Sequence, residues 1–305
     1  MLPRQTRSHP SAGMSLAELM ISMGIGLFLL SGVVTVLYNT KLTYKVNEGV
    51  SLLQQNARYI IDELNKQMRM AGYYGCAYKQ DIPTNSDGSS VHNTLKNASS
   101  TEYNFGTAIE VWNASNTSLG GSYTITATNP SGSSILSNWN NASGSQLPSM
   151  LSGLVIPGTD VIIIRGAGGD EIPLAKNNNA AQLFACTSAT ASACSGGGTS
   201  YSGLCEQDIV VASDCTNAWI FQISNMQTTG QDTCTSGQMT NIVHSGTAMT
   251  PGNEDTSWGG GSVSDYDTLG SEASIMKIGT TAYYVGVGTS GSPALYRKSA
   301  TGTAE

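Results

Sequence analysis

Residues 13 to 18 hold the clearest chemical constellation of the chain. A Gly13-Met14 junction is followed by Ser15, Leu16, Ala17 and the carboxylate Glu18, then by an apolar run to Leu37. One ionisable group interrupts this run. A carboxylate near a bilayer centre costs roughly 2.5 to 3.5 kcal/mol on insertion scales, so it implies a function and a positive partner. The candidate partner is an α-amino group, which cleavage after Gly13 would create on Met14.

The thirteen residues before the cut, Met1 to Gly13, are polar and include Arg4 and Arg7. An ordinary secretory signal is cut after its apolar core. Here the small residue precedes the core, so the apolar helix would stay on the mature chain with Glu18 as its fifth residue. The run Gly13, Met14, Ser15, Leu16, Ala17, Glu18, Leu19, Met20, Ile21 resembles the type IV prepilin signature, departing from it at Met14, Ser15 and Ala17. The resemblance implies that a prepilin peptidase cuts after Gly13 and methylates the amine of Met14. The bland alternative is a plain membrane anchor with an accidental Gly-x4-Glu.

The elements that position these residues follow from length and periodicity. Leu19 to Tyr38 is 20 residues, which as a helix spans about 30 Å, one hydrocarbon core. Arg4 and Arg7 place the leader on the cytoplasmic side and the rest of the chain outside. Gly24, Gly26 and Gly32 are permissive points where the helix packs closely or unwinds. Beyond the membrane, Val46, Val50, Leu53, Ala57, Ile60, Leu64, Met68 and Ala71 recur at spacings of three and four, an apolar stripe of helical period. Gly72 is placed as its C-cap. One face of this outer half is expected to cover a sheet and the other to pack on neighbouring helices, the alternative being a coiled-coil stalk. The organisation is thus a leader over 1–13, a membrane or filament-core helix over 14–38, an amphipathic helix over 39–72, and a β-rich domain over 73–305.

Strands are expected over 123–127, 161–165, 209–212, 218–223, 274–278 and 282–287, all rich in β-branched or aromatic residues. Gly279-Thr280 reads as a tight turn between the last two. Tracts of Ser, Thr, Asn and Gly over 85–100, 114–123, 129–145 and 187–202 read as surface loops. The fold class is α+β, one long helix with a mostly antiparallel sheet.

Charged residues are only 11% of the chain and glycine is 35 of 305, so solubility rests on Ser, Thr and Asn. Without the leader, 12 basic residues face 21 acidic ones, a formal charge of −9. That argues against broad binding of nucleic acid or anionic lipid. Six cysteines, Cys76, Cys186, Cys194, Cys205, Cys215 and Cys234, all follow the apolar segment. In an oxidising compartment they read as three disulfides with 15 possible pairings. Cys186 with Cys194, Cys205 with Cys215 and Cys76 with Cys234 is the favoured set. The spacings fit neither a redox CxxC nor a zinc knuckle.

Enzyme readings find little. His92 and His244 sit in polar surroundings and read as surface residues, and no Gly-x-Ser-x-Gly elbow, Walker loop or HExxH occurs. Gly286, Gly288 and Gly291 match a dinucleotide spacing, but Ser292, Pro293 and a β-like 294–297 follow where a helix should open, so a hairpin turn is expected. Asp255, Asp265 and Asp267 offer oxygen ligands for Ca²⁺, yet match no EF-hand, and a solvated loop is the preferred reading. No cofactor, metal or small-molecule substrate is expected.

Within the prepilin class, residues 70–76 (Met-Ala-Gly-Tyr-Tyr-Gly-Cys), 160–166 (Asp-Val-Ile-Ile-Ile-Arg-Gly), 213–222 (Ser-Asp-Cys-Thr-Asn-Ala-Trp-Ile-Phe-Gln) and 295–297 (Leu-Tyr-Arg) resemble the PilW family of minor pilins. The resemblance implies a pilin-like fold and a non-enzymatic subunit that primes pilus assembly and sits at the tip. Its implied partners are other minor pilins, the major pilin, the prepilin peptidase, the inner membrane and the assembly platform. By the same resemblance a further β segment is expected beyond Glu305. A J-type pseudopilin of type II secretion and a tip adhesin are the competing readings.

Overall fold

The computed structural model describes residues 13–75, 91–115, 117, 120–122, 133–178, 182–194, 198–214, 217–229, 234–235, 237–246, 249–256, 258, 269, 272–288 and 291–300. The chain divides into two compact units, Met1–Asn65 and Lys66–Glu305.

Helix α1, Leu16–Arg69, is unbroken over 54 residues, about 81 Å at 1.5 Å per residue. Its apolar run is long enough to cross a membrane. Within the run and just beyond it, Thr35 and Thr40 donate their hydroxyls to the carbonyls of Ser31 (2.9 Å) and Val36 (2.8 Å) one turn back. Lys66 and Arg69 occupy the last turn, where the helix dipole favours cations. Gly72 ends the helical segment at φ +71°, the left-handed conformation that glycine adopts without a Cβ penalty. No residue of α1 is buried.

Among the described residues thirteen strands follow: β1 His92–Asn93, β2 Ile109–Ala114, β3 Trp139–Asn140, β4 Val161–Asn178, β5 Gln182–Thr187, β6 Ala191–Ala193, β7 Thr199–Tyr201, β8 Ile209–Ser213, β9 Ala218–Gln222, β10 Asn225–Thr229, β11 Gln238–Val243, β12 Ser274–Val287 and β13 Pro293–Ser299. Eleven of them make one sheet in the order β1-β9-β8-β12-β4-β5-β11-β10, with β13 on β12 and with β2 joined to β4 and β3. The sheet is antiparallel except where β1 runs parallel to β9. Strands β6 and β7 form a separate ribbon. β8 and β9 are buried at every residue, which is why they read as continuous apolar runs rather than as alternations. The result is α+β, one long apolar helix and a large, mostly antiparallel sheet.

The expected turn at Gly279-Thr280 is absent. β12 runs straight through, with Gly279 opposite Gly166 and Thr280 opposite Arg165 on β4. A Cβ on Gly166 would collide with the carbonyl oxygen of Met70. Glycine at 166 therefore serves close approach of the segment leaving α1, not a reversal. The reversal falls one step later, where Gly291 donates to the Gly288 carbonyl (3.0 Å) between β12 and β13. That confirms Gly286, Gly288 and Gly291 as hairpin residues. The expected strand over 123–127 lies outside the described residues.

Three apolar clusters cover the sheet. One gathers Trp219, Phe221, Ile242 and Trp258; a second Tyr74, Leu95, Phe105 and Ile220; a third Trp112, Trp139, Leu151 and Tyr284. The polar tract 129–145 is thus not all surface. Its Trp139 is buried and donates Nε1–H to the Thr159 carbonyl (2.8 Å). Tract 187–202 likewise supplies the β6–β7 ribbon.

At the junction of these parts lies Arg165, whose side chain is fully buried. Nε and Nη2 donate to the Thr101 carbonyl (3.1 and 2.6 Å), Nη1 donates to the Thr107 carbonyl (2.9 Å), and Nη2 also meets the Glu110 carboxylate. Its backbone accepts from Gly72 N–H (2.9 Å) and donates to the Ala108 carbonyl (2.8 Å). Removing one member of such a buried pair strands the other charge and its acceptors. Arg165→Met is expected to lower the unfolding free energy by about 3 kcal/mol in denaturant titrations of the detergent-solubilised chain. Glu110→Gln should cost less, because that side chain is 19% exposed. Equal losses for the two variants would contradict this account.

Candidate functional site

The site built by the first unit is the start of α1. Gly13, Met14 and Ser15 are exposed and precede the helix without regular structure, so the Gly13–Met14 peptide bond is accessible. Ser15 N–H donates to Glu18 Oε2 (2.9 Å), and Glu18 N–H donates to Ser15 Oγ (3.3 Å). This reciprocal pair is a capping box, in which a Ser and a Glu three residues on satisfy each other's orphan amides. The Ser-x-x-Glu spacing was the legible signal for it. Glu18 therefore has a neutral partner within its own chain, beside the charged one expected from outside. The apolar side chains that follow are open: Leu16 is 78% and Phe28 80% exposed.

The second unit brings together sequence stretches that lie far apart. After α1, Tyr73 accepts from Ala167 N–H (2.8 Å), and a Cβ on Gly75 would lie 3.2 Å from Ser213 Cβ. Residues 70–75, 165–167 and 213 thus meet at one place on the sheet. Beside them Gly166, Gly168, Gly279 and Thr281 line a depression of about 330 Å³. Lys277 and Asp208 on its border form an ion pair (2.6 Å).

Four cysteines are placed differently from the expectation. Cys186 is bonded to Cys234 and Cys194 to Cys205. The favoured Cys186–Cys194, Cys205–Cys215 and Cys76–Cys234 set is therefore overturned. The reason is strand pairing: β5 and β11 are neighbours with Cys186 opposite Met239, which brings residue 234, just ahead of β11, to Cys186 across 48 residues of sequence. Cys76 and Cys215 lie outside the described residues.

Both histidines also depart from a surface role. His244 is fully buried, and neither ring nitrogen has a hydrogen-bond partner. Its pKa is pushed down to about 4 by burial, against smaller upward pulls from its own backbone carbonyl and then from Asp255. His92 is half-buried, with its ring stacked on Trp219 at 3.9 Å. Asp255 is exposed, while Asp265 and Asp267 lie outside the described residues. Among the described residues no group of His, Cys, Asp and Glu is placed to hold a metal ion. Tyr74, whose hydroxyl donates to the Phe105 carbonyl, has its pKa raised to about 12 by burial.

Compared with known proteins, the chain matches no family model, no curated protein and no solved structure. Its chemistry must be read from its own residues.

Non-reducing peptide mapping is expected to recover the Cys186–Cys234 and Cys194–Cys205 pairs. Recovery of a Cys186–Cys194 peptide would overturn the β5–β11 placement as well as the bond.

Proposed function

We propose that the chain is a minor-pilin-type subunit, made with a leader that is removed after Gly13, held in the inner membrane by α1, and then drawn into a filament whose assembly it primes. The observation that carries this reading is the 54-residue helix with no buried residue. An apolar surface of that length needs cover, first from lipid and then from other helices. A subunit that enters a growing fibre must use a heterologous surface, which does not close on itself.

In this reading cleavage gives Met14 a free amine. Glu18 of an incoming subunit neutralises the amine of one already in place, lowering the cost of both charges in an apolar core. The capping box defines what Glu18 does meanwhile: it holds the carboxylate on Ser15 N–H at the helix start until a charged partner replaces that bond. The PilW-like stretches support placement among minor pilins at the pilus tip.

Tip adhesion is a second reading, favoured by the β6–β7 ribbon. Ala191, Ser192 and Ala193 are exposed, and the sequence from Thr187 to Leu204 carries no charge. Cys186–Cys234 lies ahead of its base, and Cys194–Cys205 ties its turn end to the residues after β7. Deletion of the chain separates the readings, since loss of attachment with full piliation would exclude a priming role.

Two substitutions test Glu18. Glu18→Ala removes both cap and charge, whereas Glu18→Gln keeps a capping-box side chain and loses the charge. Mass spectrometry of the mature N-terminus should show cutting after Gly13 in both. Sheared filaments should contain at least about tenfold less of either variant, the scale expected when one interaction of about 1.4 kcal/mol or more is lost. Normal incorporation of Glu18→Gln with failure of Glu18→Ala would assign the residue to helix capping alone.

A further inference from the structure

His92, Trp219, Trp258 and His244 form a continuous stack of rings. Successive centroids lie 3.9, 4.8 and 4.0 Å apart, with interplanar angles of 11°, 7° and 14°. Phe221 packs tilted against both Trp258 and His244. The stack joins β1, β9, residue 258 and the residue that follows β11, so the contacting His244 and Trp258 stand in sequence at the two ends of a segment described over 249–256. Between those ends the segment is held to β9 and to the chain after β1 by neutral hydrogen bonds. Asn253 accepts from Gln222 N–H (2.7 Å) and donates to the Gln222 carbonyl (2.8 Å). Gly252 N–H donates to Gln222 Oε1 (2.8 Å), and Glu254 N–H donates to the Thr94 carbonyl (2.8 Å). None of these groups titrates between pH 4 and 7. The buried imidazole at one end of the stack, His244, does take up a proton as pH falls toward 4.

We propose that the His92–Trp219–Trp258–His244 stack is an acid-sensitive clasp, which holds residues 249–256 on β9 and releases them when His244 takes up a proton. A buried imidazole whose two nitrogens make no well-formed hydrogen bond favours its neutral form, because the cost of burying the charge outweighs the pull of its own backbone carbonyl and of Asp255. The groups that bear on it are few among the described residues. β9 presents Trp219 and Phe221, which do not ionise. The 249–258 segment carries Glu254 and Asp255, of which Asp255 acts on His244. β1 carries His92, separated by two indole rings.

The folded pKa lies below the ordinary histidine value of 6.5. The neutral ring therefore contributes its stability in full above about pH 6.5, and that contribution is lost as pH falls toward 4. A lowering to about 4 corresponds to a closed-to-open ratio reduced by on the order of a hundred-fold across that window.

Amide hydrogen exchange on the full chain in detergent micelles tests the clasp. Protection of the Gly252 and Glu254 amides is expected to fall by on the order of a hundred-fold from pH 7 to pH 4, after correction for intrinsic exchange, while the β4–β12 amides keep theirs. His244→Phe keeps a stacking ring that cannot ionise, so its protection should stay flat. His92→Phe should leave the pH dependence in place. If His244→Phe does not fold, Asp255→Asn decides, because loss of that carboxylate should move the opening to lower pH. Simultaneous loss of the β4–β12 amides in the wild type, an unchanged profile in His244→Phe, or an unmoved opening in Asp255→Asn would overturn the proposal.

Discussion

A charge taken out of water is tolerated only where its hydrogen bonds are all supplied, and in this chain Arg165 sets that condition for its surroundings. Its guanidinium draws the carbonyls of Thr101 and Thr107 and the Glu110 carboxylate into one shell. The stretch from 101 to 110 can then take few other courses. The peptide groups of the same residue hold Ala108 on one side and Gly72 on the other. The chain leaving the helix, the 101–107 segment, β2 and β4 are thereby fixed by one residue through two kinds of bond. Thr280, directly opposite on β12, extends the arrangement by donating to the Glu102 carbonyl (2.7 Å). Apolar clusters supply most of the free energy in such a fold, but they are non-directional. A buried fork of donors is directional, and supplies the register that packing leaves open.

What the sequence made legible was local. The helix followed from an uninterrupted stripe with Gly72 at its end, and β8 and β9 followed from apolar runs short enough to be buried strands. The failures share a different cause. Gly279 looked like a turn because glycine favours reversals, yet it pairs with Gly166 inside an unbroken strand, and a Cβ on it would meet nothing. His244 looked exposed because its sequence neighbours are polar, whereas its burial is set by Phe221 and Trp258. Cys186 looked like the partner of Cys194 because loop closure favours near neighbours, yet β5–β11 pairing brings Cys234 closer. Each of these depends on a residue that is remote in sequence and adjacent in the sheet.

Glu18 is a case where both kinds of information matter. From composition it is an isolated carboxylate in an apolar run, which calls for a cation. From its spacing to Ser15 it is half of a capping box, which calls for nothing further. In the proposed function the two are compatible because they act at different times. A carboxylate bonded to a backbone amide is less costly to keep near the membrane than a bare one, and it remains an acceptor for a stronger, charged donor. A residue that serves only assembly would leave the helix start uncapped before assembly, and a residue that serves only the cap could as well be glutamine.

The two units also differ in how they are stabilised. Lys66–Glu305 contains the three apolar clusters, the Arg165 shell and both described disulfides, all the features by which a domain holds itself together. Met1–Asn65 contains a helix that buries none of its residues. Long helices in proteins owe most of their stability to the packing of an apolar face rather than to propensity, and α1 carries Gly24, Gly26 and Gly32 at about 1 kcal/mol each. Its unbroken course from Leu16 is thus a property of α1 in surroundings that cover it, whether lipid or other helices. In the proposed function those surroundings change once, from bilayer to filament, and the glycines lie within the segment that makes the transfer.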